Sequence, residues 1–391
     1  MIHTLHLRNF KGIGEAQLHL DRLTVLVGPN ASGKTSVLQA LDLLSNFADP
    51  QVDRSQTLQA YGGLSALSRS GDAHVLIRAE GAWGGKPSHL RLEWTAAEYH
   101  SLRKPSSLLN VMGMWGEDTF AVVEAPSGRI RIFDTPANAQ QQLPPVLNQW
   151  WGASALLRLE SRRLAEPSYV ESVEPKINTD GTGLASVLAQ MALNRPEDFA
   201  ELLGALRTVI PQITRVRLSL AEVTRQETET LRINEEPIPR HVTRSYSGHR
   251  ILFDTKSGTG IPSEAASEGT LLVLGLLAVL MGNPRPKLVL LDDLDRGLHP
   301  KAQEDLVRQL RTLLERDPEL QIIATSHSPY LVDHLKPQEV RLSTVLPDGT
   351  IRFAALTDHP EFERWKAAMR PGEFWSTVGE KWVGERTVEP A

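Results

Sequence analysis

The sequence predicts an α/β protein built on a mostly parallel sheet, and three stretches carry that prediction. Residues 23–27, Leu-Thr-Val-Leu-Val, form an apolar run that breaks at Gly28, and a helical pattern starts after Lys34. Residues 288–291, Leu-Val-Leu-Leu, end in Asp292 and Asp293, and residues 321–325, Gln-Ile-Ile-Ala-Thr, give another buried run. Amphipathic segments alternate with these runs. Strand and helix in alternation are the pattern of a parallel sheet covered on both faces.

The loop after the first run has a chemical signature. Gly28, Gly33, Lys34 and Thr35 fit G-x-x-x-x-G-K-[ST], the phosphate loop, without a mismatch. Glycine lets the backbone turn so that successive N–H groups point inward at phosphate oxygens. The helix that follows adds unsatisfied donors and the positive end of its dipole. Lys34 is expected on the β/γ-phosphates and the Thr35 hydroxyl on Mg²⁺. Asn30, Ala31, Ser32, Gly33, Lys34, Thr35 and Ser36 make up the expected nucleotide cradle.

Composition sets the limits. The chain has 391 residues, 41% of them hydrophobic and 23% charged, which suits a soluble globular protein. A net charge of -5 argues against nucleic-acid binding through bulk positive charge, although a local basic groove remains open. Without cysteine there is no disulfide framework, thiolate zinc site or cysteine nucleophile. The first residues lack a signal-peptide pattern. The longest apolar run, residues 271–281, is far shorter than the ~20 residues that span a bilayer. A cytoplasmic protein without a membrane segment is expected.

In chain order, Ile2, Leu5 and Leu7 begin a strand reaching Asn9-Phe10-Lys11, and residues 16–20 alternate like its antiparallel partner. Val37, Leu38, Leu41, Leu43 and Leu44 mark the amphipathic helix after the loop. Residues 46–70 read as a loop with a short helix. Four strands, at 73–78, 90–94, 120–124 and 129–133, form an antiparallel sheet, with residues 100–117 as an insertion. A buried strand at 156–159 runs into Glu160-Ser-Arg-Arg163. Helices are expected at 184–194 and 197–209, and strands at 213–220, 229–234 and 248–254. A long apolar helix, 268–281, precedes the strand at 288–291, and residues 301–315 are amphipathic. The expected domains are 1–165 (phosphate-loop lobe with the antiparallel sheet), 166–285 (helical lobe) and 286–391.

A buried strand that delivers a carboxylate to its C-terminal edge is how phosphate-loop proteins complete the metal site. Asp292 is assigned to Mg²⁺, mainly through water, and Asp293 to the general base that polarises the attacking water.

Together these motifs resemble an ABC-type ATPase head of the branch that includes RecF, SMC proteins and the OLD nucleases. Asn9-Phe10-Lys11 and residues 28–36 match its opening. Ser267-Glu268-Gly269-Thr270 is similar to the family signature, although alone it would pass for a helix cap. Residues 292–300 match the Walker B and D-loop region, and residues 324–329 resemble the switch-histidine loop around His327. The resemblance implies a P-loop NTPase fold: a core sheet, an antiparallel β subdomain and a helical signature lobe. It also implies that ATP and Mg²⁺ are held between the phosphate loop of one copy and Ser267, Glu268 and Gly269 of a second, paired head to tail, with His327 on the γ-phosphate.

The departures from that pattern are informative. Asp293 stands where the family has Glu, one methylene longer, so slow hydrolysis is expected. The glutamine loop is not placed; Ser161, Arg162 and Arg163 lie in about the right region. Prolines 167, 175, 196, 211, 237 and 239 break any heptad between 164 and 262, which excludes an SMC-like coiled-coil arm. About 60 residues follow His327, fewer than a nuclease domain needs. Trp365, Trp375 and Trp382 crowd the tail; a spacing of seven puts the last two on one helix face. Packing on the protein's own head is the favoured role for that face, ahead of docking a partner. For DNA the candidates are Arg158, Arg162, Arg163, Arg240, Arg244 and Arg250.

The expected function is therefore an ATPase that dimerises on ATP and regulates a separately encoded effector, in DNA repair or anti-phage defence. The alternative is an ATP-gated scaffold with little hydrolysis. A transporter motor is disfavoured by residues 297–300 and by the signature.

Overall fold

The computed structural model describes residues 1–49, 52–69, 74–95, 110–124, 130–133, 149–170, 175–233 and 236–385. The chain divides into two compact units that interleave in sequence. The first comprises Met1–Leu156, Pro286–Asp295 and Leu310–Ala391, the second Leu157–Arg285 and Arg296–Gln309.

The first unit contains two sheets with a helix between them. β1 (Ile2–Phe10), β2 (Ile13–His19), β4 (His74–Trp83), β5 (Lys86–Thr95), β6 (Asn110–Trp115), β7 (Asp118–Glu124) and β8 (Ile130–Phe133) form an antiparallel sheet in the order β2-β1-β4-β5-β6-β7-β8. Alternation decides what each face carries: Leu5, Leu7, Ile77, Ala79, Leu90 and Leu92 are fully or almost fully buried, and His6 and Arg78 on the other face are not. β6 lies inside the stretch expected to be an insertion; its Val111 and Trp115 are buried, while residues 100–109 fall outside the described part.

The second sheet runs β16 (Ile351–Ala355), β15 (Val340–Val345), β3 (Leu23–Val27), β14 (Gln321–Ser326), β13 (Leu288–Leu291) and β9 (Ser154–Leu157). β15, β3, β14 and β13 run parallel to one another, and β16 returns antiparallel to β15. Every residue of β3, β13 and β14 is buried, as expected for a parallel strand covered on both faces. The helix Lys34–Ala48 supplies the cover on one side: Val37, Leu41 and Leu44 join one apolar core with Leu7, Ile77, Leu90, Leu26 and Ile323. Two short helices, Arg54–Ala60 and Leu64–Leu67, occupy the stretch expected to be mostly loop.

The tail corrects one expectation. Trp375 lies on the helix Pro371–Val378 and Trp382 on Lys381–Glu385, because Gly379 (φ 63°) ends the first helix, so no single face carries both indoles. Each is buried and spends its N–H locally, Trp375 on Glu380 at 2.7 Å and Trp382 on the Gly379 carbonyl at 3.0 Å.

The second unit holds the helices Ser161–Ala165, Leu184–Asn194, Pro196–Val209 and Glu268–Leu280. Pro196 opens its helix at a position where a missing N–H costs nothing, and Glu197, Asp198 and Arg207 match the helix dipole. The unit is not wholly helical. In place of three short strands, β10 (Ile213–Ile233) and β11 (Glu236–Thr255) pair along their whole length as a two-stranded ribbon of 21 and 20 residues, with β12 (Ile261–Pro262) beside β11 at the base. Among the described residues no helix is long and apolar enough to cross a membrane.

Candidate functional site

The loop between β3 and the helix Lys34–Ala48 is shaped by contacts that only small residues permit. Gly28 has φ 143°, and a Cβ there would lie 2.3 Å from the Ser343 carbonyl oxygen of β15. The Ser343 hydroxyl lies 2.6 Å from Ser32 Oγ and donates to the Val27 carbonyl at 3.1 Å, fastening the loop to the neighbouring strand. Ala31 takes a left-handed φ of 62°, the kind of kink that turns successive amides to one side. Asn30 and Ala31 are exposed, and Ser36 sits in the first helical turn.

Lys34 is buried, and its ammonium donates to the carbonyls of Gly28 (2.9 Å) and Pro29 (2.8 Å). Burial pulls its pKa below the usual lysine value, and the carboxylates of Asp293, Asp292, Glu380 and Asp295 oppose that shift. An anion placed in the loop would reinforce those carboxylates and satisfy the ammonium.

The acids lie across from it. The Thr35 hydroxyl contacts both oxygens of Asp292, at 3.0 and 3.1 Å, so the loop and the end of β13 are joined directly. Thr325 of β14 donates to Asp292 Oδ1 at 2.7 Å and accepts the Asp293 N–H at 2.8 Å. Asp293 has φ 59°, a conformation that costs a non-glycine residue about 1–2 kcal/mol. A neutral hydrogen bond contributes about 1 kcal/mol, so the bond from the Asp293 N–H to Thr325 offsets much of that strain. The Asp293 side chain is 47% exposed, with Oδ1 3.9 Å from His327 Nε2; the His327 N–H donates to Asp295 at 3.1 Å. Lys34, Thr35, Asp292, Asp293 and His327, read from separate motifs, thus belong to one site.

Oxygen donors of this kind fit Mg²⁺ with a triphosphate. Mg²⁺ takes few protein ligands and completes its shell with phosphate oxygens and water. Thr35 and Asp292 are the residues that would hold it.

In the second unit, Ser267 is exposed and caps the helix Glu268–Leu280, its Oγ accepting the Thr270 N–H at 3.3 Å. Glu268 pairs with Arg296 at 2.8 Å. Gly269 is buried where a Cβ would stand 2.4 Å from the Gly297 carbonyl, so a bulkier residue would push the D-loop off the helix start. Of the arginines proposed for DNA, Arg240, Arg244 and Arg250 share one ribbon face, by register, with Arg215, Arg217 and Arg225. Asp254, Glu227 and Glu229 lie on the same face and bind Arg217 and Arg244. Arg163 is held by Glu166 at 3.0 Å on the short helix Ser161–Ala165, which also carries Ser161 and Arg162.

Sequence reasoning missed Thr325 and Ser343, whose hydroxyls organise the acids and the loop. It also missed that Lys11 reaches Gln39 on the loop's helix at 2.5 Å.

Comparison with known proteins shows what the whole chain is similar to. Residues 162–333 match the family described as "AAA domain, putative AbiEii toxin, Type IV TA system", and residues 1–74 match "AAA ATPase domain". The chain is 24% identical over 348 residues to the DNA replication and repair protein RecF of Shewanella pealeana, covering 85% of this chain and 93% of that protein. It is 23% identical over 356 residues to RecF of Shewanella piezotolerans, covering 85% and 94%. Among solved structures, an SMC head bound to the C-winged helix domain of ScpA superposes with a TM-score of 0.57 at 13% identity, covering 93% of this chain and 99% of that one.

Proposed function

We propose, the chain being a RecF/SMC-like ABC ATPase head, that it is a cytoplasmic Mg²⁺-dependent ATPase. Two copies pair head to tail on ATP, and that closure controls a separately encoded effector in DNA repair or anti-phage defence. The observation that supports the reading best is the Thr35–Asp292 contact beside buried Lys34, since these are the residues expected to hold magnesium and triphosphate.

Bound Mg²⁺ would neutralise charge on the phosphates. Lys34 and the loop amides hold the β/γ end, Asp292 and Thr35 face the metal, and Asp293 takes the proton of the attacking water while His327 orients the γ-phosphate. In the dimer, the Ser267 hydroxyl and the amides at 268–270 of the second copy close over that phosphate. The short, exposed Asp293 favours slow turnover, and with it the second reading, a scaffold that holds a partner while ATP is bound. A RecF relative named for DNA repair and an SMC head bound to ScpA support DNA and a protein, respectively, as partners. The ribbon face with Arg240 and Arg250 is the surface we assign to DNA.

Steady-state turnover with and without duplex DNA tests both readings. The parent should exceed Lys34→Ala at least ~100-fold, the scale of removing one transition-state contact. DNA should stimulate the parent, and Arg240→Glu with Arg250→Glu should remove the stimulation without lowering basal turnover. Turnover equal to that of Lys34→Ala, together with stable ATP-dependent dimers, would leave the scaffold.

A further inference from the structure

One hydroxyl touches both acids of the site. Thr325 ends near the edge of β14 and is fully buried. Its Oγ1 lies 2.7 Å from Asp292 Oδ1 and 2.8 Å from the Asp293 nitrogen. The direction of both bonds is forced, since a carboxylate only accepts and a backbone N–H only donates. The Thr325 carbonyl also accepts the N–H of Leu294 at 2.9 Å. Three successive residues after β13 therefore hang on one residue of the neighbouring strand, and the middle one is in the left-handed conformation.

We propose that Thr325 is a positioning residue for ATP hydrolysis. Its hydroxyl holds the Asp293 backbone in the turn that aims the carboxylate at the water side, beside His327. This rests on the assignment of Asp293 as base and Asp292 as the metal-side acid. Without the hydroxyl, the Asp293 N–H loses its acceptor and the turn can relax to an ordinary φ, carrying the carboxylate off its line. Asp292 keeps its bond to Thr35, and Lys34 and the loop are untouched. The loss therefore falls on turnover, not on binding.

The test uses the full chain as parent, Thr325→Val, Thr325→Ser and Lys34→Ala, each measured for kcat, KM and the dissociation constant for ATP with Mg²⁺. Thr325→Val should lower kcat by about 10²-fold, the low end of what a positioned general base supplies. KM and ATP affinity should stay within about threefold, and Thr325→Ser, which restores the hydroxyl, should keep most of the parent's kcat. Should the valine variant not fold, Thr325→Ala carries the same comparison. The proposal is overturned if the hydroxyl-free variant turns over like the parent, if it loses binding as much as turnover, or if serine fails to rescue. A parent no faster than Lys34→Ala overturns the ATPase reading and this role with it; a parent that hydrolyses and is matched by Thr325→Val overturns the role alone.

Discussion

Gly28 occupies a place with room for a hydrogen and nothing larger. A methyl group there would meet the Ser343 carbonyl at 2.3 Å and would also have to tolerate a φ of 143°. The Ser343 carbonyl belongs to the buried part of β15 and cannot retreat. Gly28→Ala should weaken ATP binding by at least ~10-fold, about 1.4 kcal/mol, while Ser343→Ala, which removes only a hydroxyl, should cost less; calorimetric titration with Mg-ATP ranks the two. At this scale a motif is legible where it dictates local geometry: Thr35 and Asp292, read from separate motifs, are in contact, and Lys34 folds back on the loop carbonyls. Thr325 and Ser343 were not legible. Their partners lie 32 and 311 residues away, on strands whose adjacency no local pattern announces.

The elements show the same division. The buried strands β3, β13 and β14 were legible because continuous apolar runs mean one thing in an alternating α/β order. The ribbon was cut into pieces because beyond Leu220 it is wet on both faces: exposed Glu222, Thr224, Arg225, Gln226 and Thr228 look like loop, and Pro237 and Pro239 look like breaks. The tail helices were joined in error because the spacing of the two tryptophans was read across Gly379, a residue that ends helices. Their packing has a titrating member. His359 meets Phe374 at 5.1 Å and Trp382 at 4.9 Å, edge to face, and its Nδ1 accepts the Glu361 N–H at 3.1 Å, which requires an unprotonated nitrogen. Burial lowers its pKa below 6.5, with Glu361 opposing. The unfolded tail therefore binds the proton first as pH falls. The stability His359 lends is present above 6.5 and lost as pH drops through the lower folded value. Tryptophan fluorescence should report loosening of the tail between pH 7 and 5, and His359→Gln should flatten that response.

For the whole molecule, the comparisons and the two sheets agree on a fold like that of an SMC head, and the dimer is where the proposed function is most exposed to refutation. Asp293→Asn keeps the size of the side chain and removes the base. It should cut turnover about 10²-fold or more and accumulate an ATP-bound dimer, seen as a doubled mass in sedimentation or light scattering; parent-like hydrolysis in this variant would contradict the assignment. The two sheets of the first unit are pinned by Gln321, whose amide accepts from Ile2 N–H at 2.8 Å and donates to the carbonyls of Ile2 (2.7 Å) and Asp21 (3.0 Å). The ribbon is held partway along its length, where Tyr169 stacks on Tyr246 at 4.3 Å and the Tyr169 hydroxyl accepts from Arg225 at 2.8 Å. At 21 residues it extends roughly 70 Å, so a tilt of about 5° at its root sweeps its far end through roughly 6 Å. Such a lever turns a sub-ångström adjustment among the helices at its base into a displacement that a bound neighbour would feel as a shove.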